Sequence, residues 1–71
     1  MTTQDKIALY KSGMMKFSQQ DFAGALDDFA QALDLDPKFA DVHQSMAHCH
    51  EKLGDLDQAL SCAQKAVEYN P

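Results

Sequence analysis

The sequence predicts an all-α fold of four helices, and three observations lead to this prediction. Apolar residues recur at helical spacing, as in Phe22, Leu26, Phe29 and Leu33. Residues with β-branched side chains, which favour strands, number only five among 71. The third observation is a repeat: the stretch DFAGALDDFAQALDLDP at 21–37 returns, in similar form, as DLDQALSCAQKAVEYNP at 55–71.

Capping residues predict where the helices begin and end. Asp21 and Asp55 each precede an apolar run and can accept backbone N–H bonds as N-caps. Gly54 suits the left-handed residue that closes a helix. The pair Asp36-Pro37 combines an N-cap with proline at the first helical position, so we expect the third helix to start there. The predicted helices are 4–19, 22–35, 37–53 and 56–69.

Small side chains predict how the helices pack, because helices approach to about 8–10 Å only where the contact residues are small. We expect these small residues on the buried sides of the helices, and their positions recur at the same interval as the repeated stretch. They are Gly13, Ala25 and Ala32 in the first half, and Ala47, Ala59 and Ala66 in the second. The sequence therefore predicts one helix pair used twice.

Composition limits the classes of partner. The chain has six Lys, no Arg and eleven acidic residues, giving a net charge of −5. Nucleic acids and anionic membranes bind clustered cations, so we expect neither as a partner. Two cysteines make no disulfide framework, and no apolar run reaches membrane length. The first residues do not have the pattern of a signal peptide, so we expect none. We expect a cytoplasmic location.

The repeated residues resemble the tetratricopeptide repeat, a helix–turn–helix of about 34 residues. The resemblance covers nearly the whole chain, and from it we expect residues 1–71 to form one repeat domain that lacks a C-terminal capping helix. Repeat 1 at 6–39 matches with Gly13, Ala25, Phe29, Ala32 and Pro37, and repeat 2 at 40–71 with Ala47, Gly54, Asp55, Ala59, Ala66 and Pro71. The chain departs from the pattern where the family has a first-helix Trp, which is Leu9 in repeat 1 and His43 in repeat 2.

The resemblance implies two stacked antiparallel hairpins, an α-α superhelix whose first helices line a concave groove. In this family the groove binds a peptide or a helix of another protein. The implied groove residues are Ile7, Tyr10, Met14 and Phe17 in repeat 1, and Asp41, Gln44, His48 and Glu51 in repeat 2. A partner segment with apolar residues followed by Lys or Arg would suit these two sets.

Other interpretations of these surfaces stay open at this point. A missing helix or a second copy could cover the apolar set, and the polar set could be a solvated helix face. Pro71 stands where the pattern would begin another helix. We therefore expect a fragment of a longer repeat protein, or self-association through an uncovered face formed by Leu60, Ala63 and Val67.

Metal binding and catalysis have little support in the sequence. The segment HQSMAHCH at 43–50 places its His and Cys residues at intervals other than the three or four that put ligands on one helix face. Ser45 and Cys49 lie near histidines, but this composition gives such neighbours by chance, and no phosphate-binding loop is present. We expect no metal, no cofactor and no enzymatic activity.

Overall fold

Four helices joined by short turns form the described chain. The computed structural model describes residues 5–70, with α1 at Lys6–Ser18, α2 at Phe22–Leu35, α3 at Ala40–Lys52 and α4 at Leu56–Tyr69. No strand occurs within this range, which confirms the all-α prediction. Each helix packs on the next one along the chain, and α1 also touches α3. Position 4 of the predicted first helix and Pro71 of the predicted second repeat lie outside the described residues.

The two hairpins begin their second helices in the same way. Asp21 accepts a hydrogen bond from the backbone N–H of Gly24 at 3.1 Å, and Asp55 accepts one from Gln58 at 3.3 Å. These bonds satisfy N–H groups that have no partner inside the helix. Both predicted N-caps are therefore confirmed.

The predicted start of the third helix is wrong, because the helix begins at Ala40 and not at Pro37. Asp36 caps the C-terminus of α2 instead, since its backbone N–H donates to the carbonyl of Ala32. Its carboxylate binds Lys6 Nζ at 2.6 Å and accepts from the backbone N–H of Lys38 at 3.3 Å. With Asp36 held in this way, Pro37 lies in the turn.

The core lies between α2 and α3 and is closed on one side by α1. Its fully buried members are Ala25, Phe29, Ala32, Val42 and Cys49. Gly13 of α1 and Ala47 of α3 are also buried, as the repeat predicts.

The fourth helix departs from the predicted burial pattern. Ala59 and Ala66 are only half-buried, whereas the matching Ala25 and Ala32 are fully buried. The reason is that α2 lies between two helices, while α4 packs against α3 alone within the described residues.

Candidate functional site

A cleft between α1 and α3 joins predicted groove residues from both repeats. Met14 and Phe17 from α1 meet Ser45 and His48 from α3 around a cavity of about 40 Å³. The Ser45 hydroxyl donates to the sulfur of Met14 at 3.4 Å, which ties the two walls together. Residues 31 positions apart in sequence thus share one surface.

The predicted apolar set divides into two pairs. Ile7 and Met14 are exposed large hydrophobic side chains. Tyr10 is half-buried, with its ring centroid 5.5 Å from that of Phe39, and it also packs against Phe29. Tyr10 therefore supports the core while showing one edge to the surface.

Phe17 has the same double role at the other end of α1. Its ring meets that of Phe22 edge-on, with centroids 5.2 Å apart. It also lines a second cavity of about 530 Å³ with Ser18, Gln20, Phe22 and Lys52. Sequence reasoning missed this cavity, because Phe22 and Lys52 belong to different repeats and meet only after the hairpins pack.

All four residues of the predicted polar set are exposed, but they do not lie on one surface. His48 lies at the cleft with α1, and its Nδ1 is 3.8 Å from a carboxylate oxygen of Glu51. Asp41 and Gln44 instead lie beside α4, around a cavity of about 210 Å³. The other residues lining that cavity are Ala40, Ala63, Ala66, Val67 and Asn70.

An apolar stripe runs along the outer side of α4. Leu60 is 61% exposed and Val67 is 65% exposed, with the half-buried Ala63 between them. Leu56, which the sequence reasoning missed, extends the stripe by one turn and is 66% exposed. Its helical spacing from Leu60 was the available signal.

Two lysines of α1 form ion pairs with carboxylates of repeat 1. Lys16 Nζ lies 3.2 Å from the buried carboxylate of Asp28, which also accepts from the Ser12 hydroxyl at 2.6 Å. Lys6 binds Asp36, and this hydrogen bond lowers the pKa of the Asp36 carboxyl.

The histidines and cysteines do not form a chemical centre. His43 is buried, with Nε2 2.8 Å from the carbonyl oxygen of Pro37 and its ring 5.3 Å from that of Tyr69. Burial raises the pKa of Cys49 to about 11 and raises that of Cys62 as well, so both thiols stay protonated. Within residues 5–70 no group of three or more His, Cys, Asp or Glu side chains could hold a metal ion.

The helices of the described chain are also too short and too polar to cross a membrane.

A family model described as Tetratricopeptide repeat matches residues 16–71, from the last turn of α1 through α4. Comparison with curated proteins found no match. Repeats of this family are protein–protein interaction modules and are typically non-catalytic. The match spans more than half of the chain and agrees with its two helical hairpins, and the chain therefore belongs to the tetratricopeptide repeat family.

Proposed function

We propose that this chain binds a peptide or a helix of a partner protein on the concave surface formed by α1 and α3. The observation that supports this most is the cleft where Met14 and Phe17 meet His48. Exposed Met and partly exposed aromatic side chains suit a surface that adapts to a partner. Ile7 continues this apolar wall at the N-terminal end of α1.

The two walls of this surface favour a partner segment of mixed chemistry. The α1 wall offers Ile7 and Met14, and the α3 wall offers His48 with the exposed carboxylate of Glu51 beside it. A segment with apolar residues followed by Lys or Arg would place each kind of side chain against its complement. Lys52 at the C-terminal end of α3 would disfavour a Lys or Arg of the partner there.

A synthetic amphipathic peptide with Leu on one face and Lys on the other provides a direct test. We expect it to bind, and we expect the double variant Ile7→Ala/Met14→Ala to bind it about tenfold more weakly, or about 1.4 kcal/mol. Both residues are exposed, and circular dichroism verifies that the fold is retained without the contact between Met14 and Ser45. Leu35→Ala is the matched control, since Leu35 is an exposed apolar residue outside the cleft.

Two results would contradict this function. Equal binding by the double variant and the parent chain would place the contact elsewhere. Equal losses from Leu35→Ala and from the double variant would show that the peptide adheres to any apolar surface. Calorimetry measures all three affinities under the same conditions.

We also propose the setting in which the chain acts. It is a cytoplasmic protein without enzymatic activity that binds neither nucleic acid nor membranes. The net charge of −5 and the pairing of Lys6 and Lys16 with carboxylates of the same chain support the exclusion of nucleic acid and anionic membranes. The typical role of the family's repeats supports the absence of enzymatic activity. Salt-sensitive retention on a heparin column would contradict it, because heparin captures basic surfaces.

A second candidate function is self-association through the outer face of α4, formed by Leu60, Ala63 and Val67. The exposure of Leu60 and Val67, together with Leu56, favours it, because soluble monomers rarely show a continuous apolar stripe. Sedimentation velocity at rising concentration tests it. We expect the apparent mass to rise with concentration, and a constant monomer mass would contradict it.

A further inference from the structure

We infer that copies of this chain stack head to tail, so that the outward face of α1 in one copy covers the outer face of α4 in the next. The outward face of α1 consists of Ala8, Lys11 and Met15. This arrangement rests on the second candidate function and identifies the surface that the α4 stripe contacts.

The first support is the register of the two repeats. In repeat 1 the α2 positions Phe22, Leu26, Phe29 and Leu33 are all buried or half-buried. Phe22 and Phe29 pack partly against α1. The matching positions of repeat 2 are Leu56, Leu60, Ala63 and Val67, the stripe on α4. The same register matches Val42 and Cys49, the two fully buried residues of α3, with Ala8 and Met15 of α1. The chain thus has both halves of a second interface like the one between α2 and α3.

The second support is a reversal of side-chain sizes. The buried core cluster contains the large Phe29 of α2 and the small Cys49 of α3. At the matching positions α4 has the small Ala63 and α1 has the large Met15, which is 63% exposed. In the stacked interface the larger side chain would therefore come from α1 instead of from the helix before it. Ala63 and Met15 together are smaller than Phe29 and Cys49, which is one reason to expect weak stacking.

The third support is charge. Helix α1 has three Lys and no acidic residue, while repeat 2 has five acidic residues and two Lys. Lys6 and Lys16 are engaged within repeat 1, and Lys11 makes no ion pair with the described residues. Lys11 matches Ser45 in the repeat, and Ser45 contacts Met14, which matches His48. Lys11 of the second copy would therefore lie beside His48 and the carboxylate of Glu51.

One part of the stacked interface would be poorly filled, and a larger side chain there should strengthen the association between copies. The cavity of about 210 Å³ beside Ala40 and Gln44 matches the place that Phe39 fills in repeat 1, next to Lys6 and Tyr10. The residue of the second copy that matches Phe39 is Asp5. A carboxylate fills this space poorly, so stacking should be weak and dependent on concentration.

Two variants separate head-to-tail stacking from a symmetric contact between α4 helices. Met15→Asp and Leu60→Asp each place a charge at an exposed position, so both variants should fold, which circular dichroism verifies. In sedimentation velocity we expect the parent chain to form species larger than dimers, because a head-to-tail dimer keeps a free face at each end. Each variant alone should be monomeric, and their equimolar mixture should form dimers only, since each supplies the face that the other lacks.

The outcomes distinguish this inference from the function on which it rests. Loss of assembly in Leu60→Asp with full assembly in Met15→Asp would overturn head-to-tail stacking and leave self-association through α4 standing. A monomeric parent chain at every concentration would overturn both. Asp5→Phe should tighten association about tenfold, while the controls Gln19→Phe and Asp5→Ala should not. Equal tightening by Gln19→Phe would show non-specific adhesion and count against the inference.

Discussion

Gly13 of α1 and Phe29 of α2 lie so close that the structure has no room for a side chain at residue 13. A Cβ atom built on Gly13 would lie 2.7 Å from Cδ1 and 2.9 Å from Cζ of the Phe29 ring. Real Cβ atoms do not approach other carbons this closely. The Phe29 ring is fully buried, so it has no free space into which it could move. This contact sets the distance between the first two helices.

The first prediction is that Gly13→Ala destabilises the protein although alanine is the better helix former. Overpacking costs about 1–3 kcal/mol, and helix propensity returns about 1 kcal/mol. We expect a net loss of about 1 kcal/mol in the free energy of unfolding, measured by urea denaturation.

A double-mutant cycle provides the control. In a Phe29→Leu background the side chain opposite residue 13 is smaller, so Gly13→Ala should cost less or stabilise. Identical effects of Gly13→Ala in both backgrounds would show that the two residues do not constrain each other.

The second prediction concerns the two hairpin turns. Gln20 and Gly54 occupy matching positions, and both have left-handed backbones, with φ of 67° and 84°. Left-handed backbone strains a residue with a side chain but not glycine. Gln20→Gly should therefore stabilise the chain by about 0.5–1 kcal/mol in thermal or urea unfolding.

The reverse substitution gives the matched control. Gly54→Gln should destabilise by a similar amount for backbone reasons alone, because no atom lies within 4 Å of a Cβ built there. A loss of stability in Gln20→Gly would mean that the Gln20 side chain makes a contact worth more than the strain.

The third prediction compares two matching alanines. Ala32 is fully buried in α2, and Ala66 is its half-buried counterpart in α4. Ala32→Leu should cost about 3 kcal/mol or more, because leucine would push neighbouring helices apart. Ala66→Leu should cost about 1 kcal/mol or less, because one side of α4 has no packed neighbour among the described residues. Equal costs would show that the two hairpins are equally packed, contrary to the structure.

The fourth prediction is a loss of stability in alkaline solution. Burial raises the pKa of Cys49 from its ordinary value of 9.0 to about 11. Between these values the unfolded chain releases the thiol proton before the folded chain does, so the free energy of unfolding falls as pH rises. Below pH 9 this contribution is fully present.

Urea denaturation of the parent chain and of Cys49→Ala at pH 8 and pH 10.5 measures this effect. The fall in stability over this interval should be smaller in Cys49→Ala, since the other titrating groups are shared. An equal fall in both proteins would mean that the Cys49 thiol is accessible in the folded state.

The sequence predicted the repeated elements well because their causes are local. Asp21, Asp55 and Gly54 act within their own turns, so each could be recognised from neighbouring residues. Asp36 misled the prediction because its role depends on Lys6, which lies 30 residues earlier in the chain. Gln20 was missed since nothing in its residue type indicates a left-handed backbone.

The surfaces were less predictable than the fold because their character depends on what packs beside them. Tyr10 and Phe17 have sequence positions typical of a groove, but their rings also pack against Phe39 and Phe22. Met15 gave no signal, since only its match with the buried Cys49 shows that its exposure is unusual. The exposed position of Met15 could be recognised as unusual only after the structure showed that Cys49, its match in the second repeat, is buried.

A titration of the labelled chain with the Leu/Lys peptide, followed by ¹H–¹⁵N correlation spectra, tests most directly where a partner binds. The spectra report each backbone amide separately, so they locate the contact without any substitution. We expect the largest shifts at Met14, Phe17 and His48, with little change along the outer side of α4. Shifts confined to Leu56, Leu60 and Val67, or no shifts at a saturating peptide concentration, would contradict binding in the groove between α1 and α3.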